Sequence, residues 1–116
     1  GGVTLYYYKE MNRYPAADFL KKLQKPILIM QGEKDFHLDL EKDFEAYKPI
    51  LKHNKNVTYK LYENLNHMFM PSVYGTIDKM QQEYNVEQHI GEDVIEDIAN
   101  WIKDYINQNT KQLMEV

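Results

Sequence analysis

A chain of 116 residues, 43% hydrophobic and 28% charged, has room for one modest globular unit. Its net charge is −4, with acids and bases mixed along the chain, so no basic face is available for nucleic acid. The absence of cysteine excludes a disulfide framework, thiolate catalysis and a zinc–thiolate site, and it suits a cytoplasmic protein.

Residues 1–14 carry Tyr6, Tyr7, Tyr8 and Tyr14 without clear periodicity and are predicted as an irregular leading segment. Tyrosine buries a ring and keeps its hydroxyl wet, so these residues read as interfacial packing. Gly1-Gly2-Val3 is not a basic n-region, and no signal peptide is visible. No apolar run approaches the roughly 20 residues of a membrane span. Pro15 suits the first position of a short helix, whose Phe19, Leu20 and Leu23 share a face and which Pro26 ends.

Ile27-Leu28-Ile29-Met30 is a continuous apolar run closed by Gly32. It predicts a strand covered on both faces, as in a parallel sheet. Asp39 is placed to cap a following helix, and Leu40, Phe44, Tyr47 and Leu51 lie on one face of it. Pro49 should kink or end that helix. Val57, Tyr59 and Leu61 alternate with Thr58, Lys60 and Tyr62, which predicts a half-exposed strand. Residues 68–90, with Pro71 and Gly75, read as a long loop. Glu92 and Asp93 open a closing amphipathic helix with a stripe through Val94, Ile98, Ile102 and Ile106.

The element order α, β, α, β, α makes the whole chain, 1–116, one α/β unit. A strand, crossover helix and strand form a right-handed unit of two parallel strands. Parallel strands end on one edge of the sheet. Asp35 follows the first strand and His67 the second, so both belong at the carboxyl edge, where open α/β sheets bind ligands.

Histidine titrates near neutral pH and serves as a general base once a carboxylate fixes its tautomer. Asp35 and His67 are therefore the candidate catalytic pair. The plainer alternatives are a carboxylate satisfying loop amides and a packed loop histidine. Phe36 and Met68, each one residue beyond the pair, are candidate substrate contacts; Met68, Phe69 and Met70 fit an apolar pocket or simple loop packing. Asp35, His37 and Asp39 make a metal cluster only on paper, because Asp39 is better used as a helix cap. No metal and no cofactor is expected. His53 and His89 read as surface residues. Ser72, the only serine, sits in "MPSVYG" without the glycines of a nucleophile elbow.

On these motifs the chain resembles the C-terminal portion of an α/β-hydrolase, in which nucleophile, acid and histidine come in that order. Pro26 to Asp35 matches a "PxLIxxGxxD" pattern, Leu61 to His67 matches the segment that carries the histidine, and 92–107 matches the closing helix. The likeness spans roughly 15–107 and leans toward esterase, peptidase and dienelactone-hydrolase-like members. Phe36-His37-Leu38 after the acid departs from the pattern. The resemblance implies a serine hydrolase of esters, thioesters or peptides, with Asp35 as triad acid and His67 as base. It also implies that this portion is inactive alone, because the nucleophile and oxyanion hole are not in the sequence. The alternative is a non-catalytic α/β interaction module on the same scaffold. Two strands are too few to cover the 27–30 run, so self-association is expected.

Overall fold

The computed structural model describes residues 4–13 and 15–114. Gly1, Gly2, Val3 and Tyr14 of the predicted leading segment lie outside them. Its centre is a two-stranded parallel sheet of β1 (Ile27–Gly32) and β2 (Val57–Tyr62), in register from Ile27 opposite Val57 to Gly32 opposite Tyr62. The fold class is the expected partial α/β arrangement. The ladder continues past both ends, with Ile27 N donating to Asn56 O at 2.9 Å and Glu33 N to Tyr62 O at 2.8 Å.

The leading segment is not irregular. Leu5–Arg13 form a helix, α1, which starts where Tyr7 N donates to Thr4 Oγ1. Thr4 acts as the cap that a helix start needs. α2 (Ala16–Leu20) follows with Pro15 just outside it rather than at its first position. Its exit is tied to the crossover by Asn54, whose Nδ2 donates to Leu23 O and Lys25 O at 3.1 and 2.8 Å.

The crossover is broken, as Pro49 required. Asp39 caps it as expected, with Oδ1 accepting from Glu41 N and Lys42 N at 2.9 Å each. Asp43 Oδ2 accepts from Asp39 N in return. These bonds wind Leu40–Phe44 as a wide π-type turn rather than an α-helix. A short α3 (Tyr47–Ile50) contains Pro49, which has no N–H to give to Glu45 O, and Lys48 N takes that carbonyl instead. Half of the predicted stripe points inward: Phe44 and Leu51 are buried, whereas Leu40 is only partly covered and Tyr47 is exposed.

The 68–90 stretch is not a featureless loop. It carries a 3₁₀ turn (Ile77–Lys79) and α4 (Met80–Asn85). Glu83 on α4 is 2% exposed and accepts four hydrogen bonds, from Ser72 Oγ, Val73 N, Tyr74 N and Gly75 N. A carboxylate so bonded closes the excursion back on itself, which no local periodicity announces.

α5 (Glu92–Met114) runs 23 residues, beyond the predicted end. Tyr62 Oη donates to Asp97 Oδ2 at 2.6 Å and fixes its first turns to the end of β2. Along the stripe, exposure rises from 2% at Val94 to 39% at Ile98, 45% at Ile102 and 54% at Ile106, so its later turns are not covered. The β1 apolar run is half-buried rather than covered on both faces, and β2 is its only partner strand among the described residues. The radius of gyration is 17.5 Å, against about 13 Å for a compact domain of this length. No helix among the described residues is long and apolar enough to cross a membrane.

Candidate active site

Two loops overhang the carboxyl edge. After β1 the chain turns through Gly32-Glu33-Lys34-Asp35, closed by Asp35 N donating to Gly32 O at 3.2 Å. Asp35 therefore stands one tight turn beyond the strand. Its Oδ1 accepts from His37 N at 2.8 Å and Leu38 N at 3.0 Å. These bonds orient the carboxylate and leave Oδ2 for a partner.

After β2 the chain forms a narrow hairpin. Ser72 N donates to Asn64 O, and Asn66 N to Met70 O. Within it, Asn66, His67, Met68 and Phe69 make a turn closed by Phe69 N to Asn66 O at 3.0 Å. Asn66 is buried, and its Oδ1 accepts from Met68 N and Met70 N. Asn64 and Phe69 have φ of 64° and 58°, the left-handed backbone that lets so short a loop reverse. His67 is held at its tip.

The two loops touch at their backbones. Lys34 N donates to Leu65 O at 2.9 Å. Gly32 lies beneath that bond, where a side chain would strike the Leu65 carbonyl and would sit 2.6 Å from Asn66 O. Only glycine permits this approach.

The approach brings His67 Nδ1 to 2.8 Å from Asp35 Oδ2. Asp35 is sealed, with 3% of its side chain exposed, while 43% of His67 faces solvent. An ionised carboxylate only accepts, so this bond puts the imidazole proton on Nδ1. Nε2 is then the lone-pair nitrogen on the open side, and no described residue hydrogen-bonds to it.

The ring of Phe36 lies beside the pair, packed on His37 and Tyr84 with centroids 4.8 and 5.8 Å apart. Met68 is half-exposed at the loop tip next to His67. The structure spends Asp39 on its capping bonds and takes His37 elsewhere. His37 Nε2 is 2.9 Å from Tyr84 Oη, and the His37 ring lies 4.9 Å from that of His67. Sequence reasoning did not single out Tyr84 or Glu83. The signal for them was the run Met80 to Asn85, helical in composition but set within polar residues.

An aspartate and then a histidine on the ends of two parallel strands, with a crossover between and a helix after, form a partial α/β arrangement of the α/β-hydrolase type. The model of the prolyl oligopeptidase family matches residues 4–109, and the chain belongs to that family. Its origin is a hydrolase of the serine-peptidase kind. Searches of curated proteins and of solved structures returned no match.

Proposed function

We propose that Asp35 and His67 are the acid and histidine of a Ser–His–Asp triad that cleaves a peptide bond, with ester or thioester cleavage open to the same chemistry. The bond from His67 Nδ1 to the sealed Asp35 carboxylate is the observation that carries this reading. His67 Nε2 takes the proton of a serine hydroxyl as its oxygen adds to the substrate carbonyl. Asp35 stabilises the resulting imidazolium without taking its proton. The imidazolium then protonates the leaving amine or alkoxide, and the freed base activates the water that hydrolyses the acyl-enzyme.

The nucleophile comes from outside these residues, and so do the donors to the oxyanion. Ser72 does not fill the role, because its hydroxyl donates to Glu83 Oε2 at 2.6 Å. Phe36 and Met68, flanking the pair, contact the acyl or peptidyl side of the substrate. The unpaired side of β1 and the exposed α5 stripe are covered by further polypeptide, and the chain taken alone self-associates through them.

A fluorophosphonate, whose phosphorus is attacked by a base-activated serine with loss of fluoride, tests the reading. The full natural chain should be labelled at one serine, and His67→Ala should abolish labelling. Labelling at Ser72, or undiminished labelling in His67→Ala, would contradict it.

A further inference from the structure

The Asp35–His67 hydrogen bond leaves one rotation free. Asp35 holds Nδ1 of His67, but the imidazole is 43% exposed, and a single bond does not stop a ring from swinging toward water. One face of it meets His37, at 4.9 Å between centroids and 59° between planes. That neighbour is itself immobilised from three sides. Its backbone N–H donates to Asp35 Oδ1 at 2.8 Å, Phe36 lies against its ring at 4.8 Å, and Tyr84 Oη bonds its Nε2 at 2.9 Å.

Tyr84 comes from the far end of the 68–90 excursion, 47 residues after His37. Its place is fixed by the residue before it. Glu83 is buried and anchors α4 to the 72–75 backbone through four hydrogen bonds. Burial raises the phenol of Tyr84 above its ordinary value, and the carboxylates of Asp35 and Glu83 add to this. Tyr84 thus stays a neutral hydroxyl in the working range. It can donate to a bare Nε2 of His37 or accept from a protonated one, so the bond survives either tautomer.

We propose that Tyr84 is a positioning residue for His67: clamped by Glu83, it bonds His37 and so holds the His37 ring as a wall that keeps the His67 imidazole turned toward Asp35. The excursion then has a task at the active edge. It delivers one hydroxyl that stiffens the ring packed beside the histidine. The proposal rests on the acid–histidine reading above and adds a residue that touches neither substrate nor the reacting atoms.

The test is the tautomer of His67 in the full natural chain, read by long-range ¹H–¹⁵N correlation with ¹⁵N-labelled histidine. The wild type should show His67 with its proton on Nδ1 and slow exchange of that proton. Tyr84→Phe and His37→Phe each keep a ring and delete the same bond from opposite ends. Both should speed exchange of the Nδ1 proton by roughly fivefold or more, the worth of one neutral hydrogen bond. Both should also move the two ring nitrogens toward a mixture of tautomers. The amides of Val73, Tyr74 and Gly75 report whether the Glu83 clamp is intact. An unchanged His67 in both variants, or a change in only one, overturns the proposal. Collapse of the clamp in both also overturns it, since the bond would then hold the fold and not the histidine. Asp35→Asn separates the two ideas: if it leaves His67 undisturbed, the acid–histidine pairing fails; if it scrambles the tautomer while Tyr84→Phe does not, only the role of Tyr84 fails.

Discussion

Replacing Gly32 with alanine adds one methyl group at the point where the two active-edge loops meet. The new carbon would sit 2.6 Å from Asn66 O and 2.7 Å from the Leu65 carbonyl carbon, whereas ordinary contact begins at 3.4 Å. Both obstacles are backbone, so no side chain can swing aside. The His67 loop must retreat by at least about 0.8 Å. Added along the 2.8 Å bond between His67 and Asp35, that retreat gives a separation of about 3.6 Å, which is no longer a hydrogen bond. Lys34 N loses Leu65 O as well. Overpacking of this kind costs about 1–3 kcal/mol and the lost backbone bond about 1 more, the half-exposed imidazole regaining water for its own. Misplacing a catalytic group by about 1 Å costs on the order of 10²-fold in rate. Urea unfolding should therefore show a loss of about 2–4 kcal/mol, and turnover of the full natural chain should fall about a hundredfold. Gly91→Ala is the control. Its added carbon meets side chains rather than backbone: the Leu65 Cδ1 methyl at 3.3 Å, and Val94 Cγ2 and Leu65 Cδ2 at an ordinary 3.7 and 3.8 Å. A Gly32→Ala protein with unchanged turnover and a stability loss within about 0.5 kcal/mol would refute the claim that this close approach sets the dyad.

Other outcomes are equally definite. Burial alone would raise the Glu83 carboxyl; the bonds from the Ser72 hydroxyl and the amides of Val73, Tyr74 and Gly75 outweigh it and hold the group below its ordinary 4.5. The stability this gives is complete above that value and is lost as pH falls through the lower folded one. Glu83→Gln should remove that part of the acid dependence and cost about 2 kcal/mol or more at neutral pH, measured by denaturant titration. Tyr62→Phe deletes the bond to Asp97 that anchors α5 and should cost about 1–2 kcal/mol; wild-type stability would show that α5 is held by other means. Sedimentation at micromolar concentration should find this 116-residue chain associated, and a folded 13.9 kDa monomer would disprove that its apolar faces need cover.

What could be read ahead of the structure was whatever local pattern dictates. The apolar run 27–30 and the alternation at 57–62 each mark a strand and Asp39 caps the crossover, because near neighbours decide these; the predicted burial does not follow, since the 27–30 run is half-buried and Leu61 is 47% exposed. Two parallel strands with a crossover then leave one edge for Asp35 and His67, so their proximity followed from topology. The failures share a different cause. α1 was hidden because three successive tyrosines blur a helical period, although Thr4 at its start was a usable sign. The order within 68–90 depends on Glu83 gathering donors from eight to eleven residues back, a pattern without a period. His37 and Tyr84 meet across 47 residues, which only the folded excursion brings about. The strand at 27–30 is only half-buried because its hydrophobicity answers to packing that the described residues do not supply.

The pairing of Asp35 with His67 is tested most directly by the turnover of the full natural chain on a chromogenic peptide and an aryl ester, with Asp35→Asn and His67→Ala beside the wild type. Asp35→Asn should lower kcat by about 10⁴ with KM nearly unchanged, because the asparagine leaves the wrong nitrogen protonated. His67→Ala should lose nearly all activity. Turnover near wild type in either variant would contradict the assignment of this acid and this base.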